Sequence, residues 1–137
     1  VNCLGHNHPG LVKAIQEQAE KLIHISSIYY NEPATKYAKR LVDATKFDRM
    51  FFANSGAEAN EAAIKLARSY FYYKDVNKYE IITANMSFHG RTMGALSVTG
   101  NPAYRAPFEP MIGNVKFAQL NDFDSVLDEF DESNMYF

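Results

Sequence analysis

The sequence predicts an α/β fold, a mainly parallel sheet covered by helices, and three observations predict it. Short apolar runs at 49–53, 80–84 and 114–118 alternate with longer stretches of helical period, the order that builds parallel sheets with helical crossovers. Small residues stand within six positions after each of the first two runs, at Gly56-Ala57 and Gly90, as they do where a chain turns from strand to helix. The 137 residues are 47% hydrophobic and 22% charged, the composition of one globular domain with a buried core.

Each element has its own signal. Leu11, Val12, Ile15, Ala19, Leu22 and Ile23 recur at helical spacing, with Pro9 in a first turn where its missing N–H costs nothing. A second helix is expected after Asn31, with Pro33 in its first turn and Ala34, Tyr37, Ala38, Leu41 and Val42 on its inner face. The aromatic run 49–53 reads as a buried strand, and the opening residues read as the close of another. An Ala-rich helix over 57–72, a strand over 80–84, a short helix over 91–98, a strand over 114–118 and a helix over 122–130 complete the order. Ligands in such folds sit beyond the carboxyl ends of the strands, so the residues after Ala53 and after Ala84 are the places to look.

The first is Asn54-Ser55-Gly56-Ala57-Glu58. The first N–H groups of a helix have no partner inside it, and the helix dipole adds partial positive charge. A phosphate can accept from them. Gly56 and Ala57 are small enough for close approach, and Ser55 adds a hydroxyl. The same letters also read as a plain capping box, since Ser55 and Glu58 have the Ser-x-x-Glu spacing. Neither a Walker loop nor a dinucleotide glycine pattern is present.

The second is Ser87-Phe88-His89-Gly90-Arg91-Thr92. Phe88 could lie against a planar ring, and Arg91 offers the fork that holds a carboxylate through two hydrogen bonds. The alternative is a helix start with a core phenylalanine and a surface arginine.

Other function classes find little support. A net charge of -2 offers no surplus to neutralise a nucleic-acid backbone. No apolar run reaches the roughly 20 residues of a membrane span, and no signal peptide is expected from the opening residues. The lone Cys3 fits a reducing cytoplasm. His6, His8 and His24 lack the accompanying ligands of a metal site, so no metal is expected. The ends, at Val1 and Met135-Tyr136-Phe137, read as cut, and a segment of a longer protein is expected.

Taken together, Leu4-Gly5-His6-Asn7-His8-Pro9, Phe52-Ala53-Asn54-Ser55-Gly56-Ala57-Glu58-Ala59-Asn60-Glu61-Ala62-Ala63 and Phe88-His89-Gly90-Arg91-Thr92 resemble the subgroup III aminotransferases, the group that acts on ornithine and 4-aminobutyrate. The likeness runs over nearly the whole chain. The Ser-Gly-Ala-Glu-Ala-Asn-Glu and Phe-His-Gly-Arg forms, with Tyr29-Tyr30-Asn31-Glu32-Pro33, point within that group toward members acting on N-acetylornithine. Ornithine, succinylornithine and 4-aminobutyrate stay open as donors, and so does a non-catalytic anion-binding domain.

The resemblance implies that residues 1–137 are the N-terminal part of the cofactor-binding large domain of a fold-type I enzyme. The cofactor would be pyridoxal 5'-phosphate. Ser55, Gly56 and Ala57 would hold its phosphate, Phe88 would stack on its ring, and Arg91 would bind the carboxylate of the amino donor or of 2-oxoglutarate. His89 receives no role. The family's catalytic lysine, which carries the cofactor as a Schiff base, is expected outside this chain, because none of its lysines stands in a matching context. The small domain and a homodimer partner's contribution are likewise expected elsewhere.

Overall fold

The computed structural model describes residues 2–130 and 134–136. Val1 and Phe137, on which the expectation of a cut segment partly rests, lie outside the described residues. The chain divides into two compact units, 1–51 and 52–137.

The first unit holds α1 (Pro9–Ala19) and α2 (Glu32–Ala44). Local chemistry sets both starts. His8 Nδ1 accepts from the N–H of Leu11 at 3.4 Å ahead of α1, and Asn31 Oδ1 accepts from the N–H of Ala34 at 2.9 Å ahead of α2. Both helices carry a proline in the first turn. The Gly5-to-Gly10 stretch turns the chain into α1, with Asn7 at φ 54°. Residues 2–5 form a turn closed by the N–H of Gly5 on the carbonyl of Asn2 at 3.0 Å, not the end of a strand. The expected inner face of α2 is half-buried at Ala34, Ala38, Leu41 and Val42, but Tyr37 is exposed.

The second unit is the α/β part. Its elements are α3 (Gly56–Tyr73), β1 (Glu80–Ala84), α4 (Met93–Ser97), α5 (Pro102–Arg105), β2 (Val115–Ala118), α6 (Phe123–Asp128) and β3 (Asn134–Tyr136). The sheet has the order β2-β1-β3 with every pairing parallel, Ile81 facing Val115 on one side and Met135 on the other. Successive residues of a strand point to opposite faces. Ile81, Ile82 and Thr83 are all buried, so both faces of β1 are covered, as a parallel sheet requires. Ile64 of α3, Ile81 of β1 and Val98 after α4 form the core, with Ala67, Phe71 and Val115 packed around them.

The expected strand over 49–53 does not form. Strand propensity describes the fit of a residue to a pleated surface supplied by neighbours, and the described sheet supplies none here, since its strands all lie after residue 79. Phe51 is 79% exposed. The expected helix over 91–98 shortens to Met93–Ser97, which leaves Arg91 in the preceding loop. The helix α5 and the 3-10 turn Ala106–Phe108 that follows it were not expected. Asn101, which caps α5 by accepting from the N–H of Ala103 at 3.0 Å, and Pro102 behind it were the available signal.

Candidate functional site

The start of α3 forms the capping arrangement that its sequence offers. Ser55 is the N-cap, with extended backbone, and its Oγ accepts from the N–H of Glu58 at 3.2 Å. Glu58 Oε2 accepts in turn from the N–H of Asn54 at 2.6 Å, one residue earlier than in the usual capping box. The cap uses Ser55 Oγ as acceptor, so its proton stays available for an anion. The cap satisfies Glu58, while helix geometry leaves the N–H groups of Gly56 and Ala57 without an intrahelical acceptor. A Cβ built on Gly56 would meet no atom within 4 Å. The space on the side-chain side of Gly56 is therefore open.

The loop after β1 comes directly against this helix start. Gly90 has φ +135°, and a Cβ there would stand 2.6 Å from Ala57 Cβ and 3.0 Å from Ala95 Cβ. Only glycine combines that conformation with so close an approach. Asn60 Nδ2 donates to the carbonyl of His89 at 2.6 Å. Glu61 Oε1 accepts from Thr92 Oγ1 and from the N–H groups of Gly94 and Ala95 at 2.8 and 3.2 Å. The carboxylate of α3 thus supplies the cap that α4 does not find in Thr92, whose side chain makes no cap bond to its own helix. This explains why α4 starts two residues later than the sequence suggests. The hydrogen bond from Thr92 first, then those from the α4 amides, hold the Glu61 carboxyl below its ordinary value against the opposing effect of burial.

The same loop carries Phe88 and Arg91 to one cavity of about 470 Å³, lined also by Met93, Leu96, Tyr104 and Phe108. Phe88 meets Tyr104 edge-on, with ring centroids 6.3 Å apart and planes at 90°. The Phe88 side chain is largely exposed. Arg91 is exposed and is the cation of this lining. A cavity with an aromatic wall and one guanidinium suits a molecule with an apolar or planar body and a carboxylate.

A second cavity, of about 500 Å³, lies beyond the carboxyl ends of β1 and β2 and is lined by Ala84, Ala118, Asn121, Asp122 and Phe123. It contains neither motif. Asp122 there caps α6, with Oδ1 accepting from the N–H of Ser125 at 3.1 Å. The chemistry favours the cavity of Phe88 and Arg91, whose lining holds the guanidinium and the aromatic ring of the second motif.

The structure thus brings together the elements that carry Ser55, Gly56 and Ala57 on one side and Phe88 and Arg91 on the other. Asn60 and Glu61, which join them, were not singled out from the sequence, although they stand three and four residues after Ala57 on one face of α3. Thr83 and Thr99 were missed as well, and no local signal marks them. His8 serves as the cap of α1.

Comparison with known proteins shows the family of the chain. Residues 1–135 match the family described as aminotransferase class-III. The chain is 54% identical over 127 residues to the acetylornithine aminotransferase of Clostridium acetobutylicum, an alignment covering 92% of this chain and 33% of that protein. It is 50% identical over 129 residues to the succinylornithine transaminase/acetylornithine aminotransferase of Pseudomonas aeruginosa, covering 92% and 31%. Among solved structures, adenosylmethionine-8-amino-7-oxononanoate aminotransferase from Methanocaldococcus jannaschii superposes with a TM-score of 0.85 at 30% identity, over 95% of this chain and 32% of that one. The ornithine aminotransferase of Toxoplasma gondii superposes with a TM-score of 0.82 at 26% identity, over 91% and 30%. The chain spans about a third of the length of these curated relatives.

Proposed function

Since the chain belongs to the class-III aminotransferase family, we propose that the protein it comes from moves the terminal amino group of N-acetylornithine to 2-oxoglutarate with pyridoxal 5'-phosphate as cofactor. In this reading residues 1–137 are the first part of the cofactor-binding large domain, and the whole protein is a cytoplasmic homodimer serving arginine biosynthesis. The observation that carries it is the seating of Gly90 on Ala57, with the built Cβ 2.6 Å away. It sets free helix-start amides beside a loop that bears an aromatic wall and a guanidinium.

The cofactor, when bound, supplies the electron sink that lets an amino group leave one carbon and join another. The chain's own residues bind and orient. The N–H groups of Gly56 and Ala57, with the Ser55 hydroxyl, would hold the phosphate through charge-assisted hydrogen bonds aided by the dipole of an 18-residue helix. Phe88 would cover one face of the ring. Arg91 would take the substrate carboxylate in a bidentate pair and fix which end of the amino acid faces the cofactor. Both half-reactions need this contact, because donor and acceptor each carry a carboxylate. In this reading the proton transfer at the reacting carbon belongs to a lysine elsewhere in the full-length protein.

The test is turnover by the full-length protein with 2-oxoglutarate and, in separate runs, N-acetylornithine, succinylornithine, ornithine and 4-aminobutyrate. Preference for N-acetylornithine is expected. Preference for another of these donors would keep the aminotransferase and replace the substrate. Binding of pyridoxal phosphate as a simple anion, without turnover of any donor, would favour a non-catalytic anion-binding domain.

A further inference from the structure

We infer that His89 is a positioning residue, whose ring and backbone are clamped from three elements so that its neighbours Phe88 and Arg91 stay turned into one cavity. The inference rests on the proposed function for what Phe88 and Arg91 do, and on geometry alone for the clamp.

The N–H of His89 donates to Thr99 Oγ1 at 3.0 Å, its carbonyl accepts from Asn60 Nδ2 at 2.6 Å, and its ring Nε2 lies 3.1 Å from Thr83 Oγ1. These contacts come from the residue after α4's cap, from α3 and from β1. The proton inventory fixes the ring. Thr83 Oγ1 donates to the carbonyl of Val98 at 3.0 Å. A hydroxyl has one proton to give, so with that proton on the carbonyl of Val98 it accepts from His89, an arrangement that puts the ring hydrogen on Nε2. Thr99 likewise donates to the carbonyl of Ala95 at 2.9 Å and accepts from His89. Both threonines are buried, where an unpaired polar group is costly and water does not replace it.

The rest of the loop is held at its ends. Gly100 N–H donates to the carbonyl of Ser87 at 3.0 Å, and Glu61 ties Thr92 and the start of α4. Between those ends, His89 is tied through both ring and backbone. With His89 turned inward to β1, Phe88 and Arg91 are left exposed and line the cavity shared with Tyr104. A side chain that merely filled the space would stabilise the unit, but it would not hold the loop to one orientation.

The experiment uses the full-length protein and four variants. His89→Leu and Thr83→Val remove the ring bond, whereas His89→Gln and Thr83→Ser keep a donor and an acceptor in its place. The first two should raise the KM for both amino donor and 2-oxoglutarate by about tenfold, the loss that a buried polar group deprived of a partner implies, and weaken the circular dichroism induced in bound pyridoxal phosphate. The conservative pair should stay within about threefold of the natural protein, since one neutral hydrogen bond is kept. Lowered melting temperature with KM and dichroism unchanged in the first two, or equal impairment in all four, would overturn the inference. Spectra of ¹⁵N-labelled histidine without cofactor or substrate separate this inference from the proposed function. Hydrogen on Nδ1 of His89 in an active enzyme sinks the clamp alone. Hydrogen on Nε2 in a protein that turns over no donor leaves the clamp standing and sinks the function.

Discussion

Gly90→Ala in the full-length protein should be among the most damaging single-methyl additions in this unit. A Cβ at residue 90 would sit 2.6 Å from Ala57 Cβ, 3.0 Å from Ala57 Cα and 3.0 Å from Ala95 Cβ, against about 3.5–4.0 Å for carbon atoms in favourable contact. Overpacking of this kind costs about 1–3 kcal/mol. The backbone adds to it, because φ +135° is sparsely populated for a residue with a side chain and costs about 1–3 kcal/mol. The expected loss is therefore on the order of 2–6 kcal/mol, readable as a lower denaturation midpoint, with weaker binding of pyridoxal phosphate because the cup is displaced. Adding Ala57→Gly removes the shortest contact and should recover some of the packing loss, but not the part from the 3.0 Å contacts to Ala57 Cα and Ala95 Cβ, nor the backbone part. Gly56→Ala is the matched control. Its Cβ would meet nothing within 4 Å and its φ is ordinary, so stability should hold or rise by about 0.4–1 kcal/mol, while the methyl occupies space proposed for the phosphate and cofactor affinity falls. A Gly90→Ala protein that melts with the natural one, or a Gly56→Ala protein that loses stability and keeps its cofactor affinity, would refute the reasoning.

Three further outcomes can be checked. Arg91→Lys should raise the KM for amino donor and 2-oxoglutarate by roughly ten- to a hundredfold, the worth of about 1.5–3 kcal/mol for a charge-assisted pair that an ammonium cannot reproduce, with cofactor absorbance retained. Glu61→Gln should flatten the acid side of the stability profile: the folded carboxyl is held below its ordinary 4.5, so its contribution is complete above that value and is lost as pH falls through the lowered one, which thermal melts from neutral pH downward will show. The 137-residue chain by itself should show no transamination above that of free pyridoxal phosphate, and with Phe51 79% exposed it should aggregate on concentration, both of which activity assays and light scattering will register.

What the sequence made legible, and what it hid, divides by range of interaction. The helix starts at Pro9, at Asn31 and at Ser55 were readable because a cap is a contract between residues three apart. The strand over 80–84 was readable because Ile81, Ile82 and Thr83 are buried from both faces and each local preference agrees with that burial. The run 49–53 has the same local character, yet makes no strand, because a ladder needs a neighbour and local composition cannot say whether one is present. The start of α4 was misplaced for a related reason: its cap comes from Glu61, more than thirty positions away, so the helix begins where a distant carboxylate meets its amides.

The site follows the same division, and that division says which residues should tolerate change. Ser55, Gly56, Phe88 and Arg91 stand out as candidates because their chemistry is visible in the letters: a hydroxyl, a missing side chain, a flat ring, a fork. The residues that join them, Asn60, Glu61, Thr83 and Thr99, look like ordinary polar positions and reveal themselves only through a partner far along the chain. Each spends its hydrogen bonds on the loop 88–92 or on the helix that follows it, and none lines the cavity of Phe88 and Arg91. A cavity wall built on an exposed loop keeps its geometry only if the loop is fixed from behind. Swapping the exposed residues should therefore change which molecule is bound, whereas swapping the joining residues should change how sharply any molecule is held.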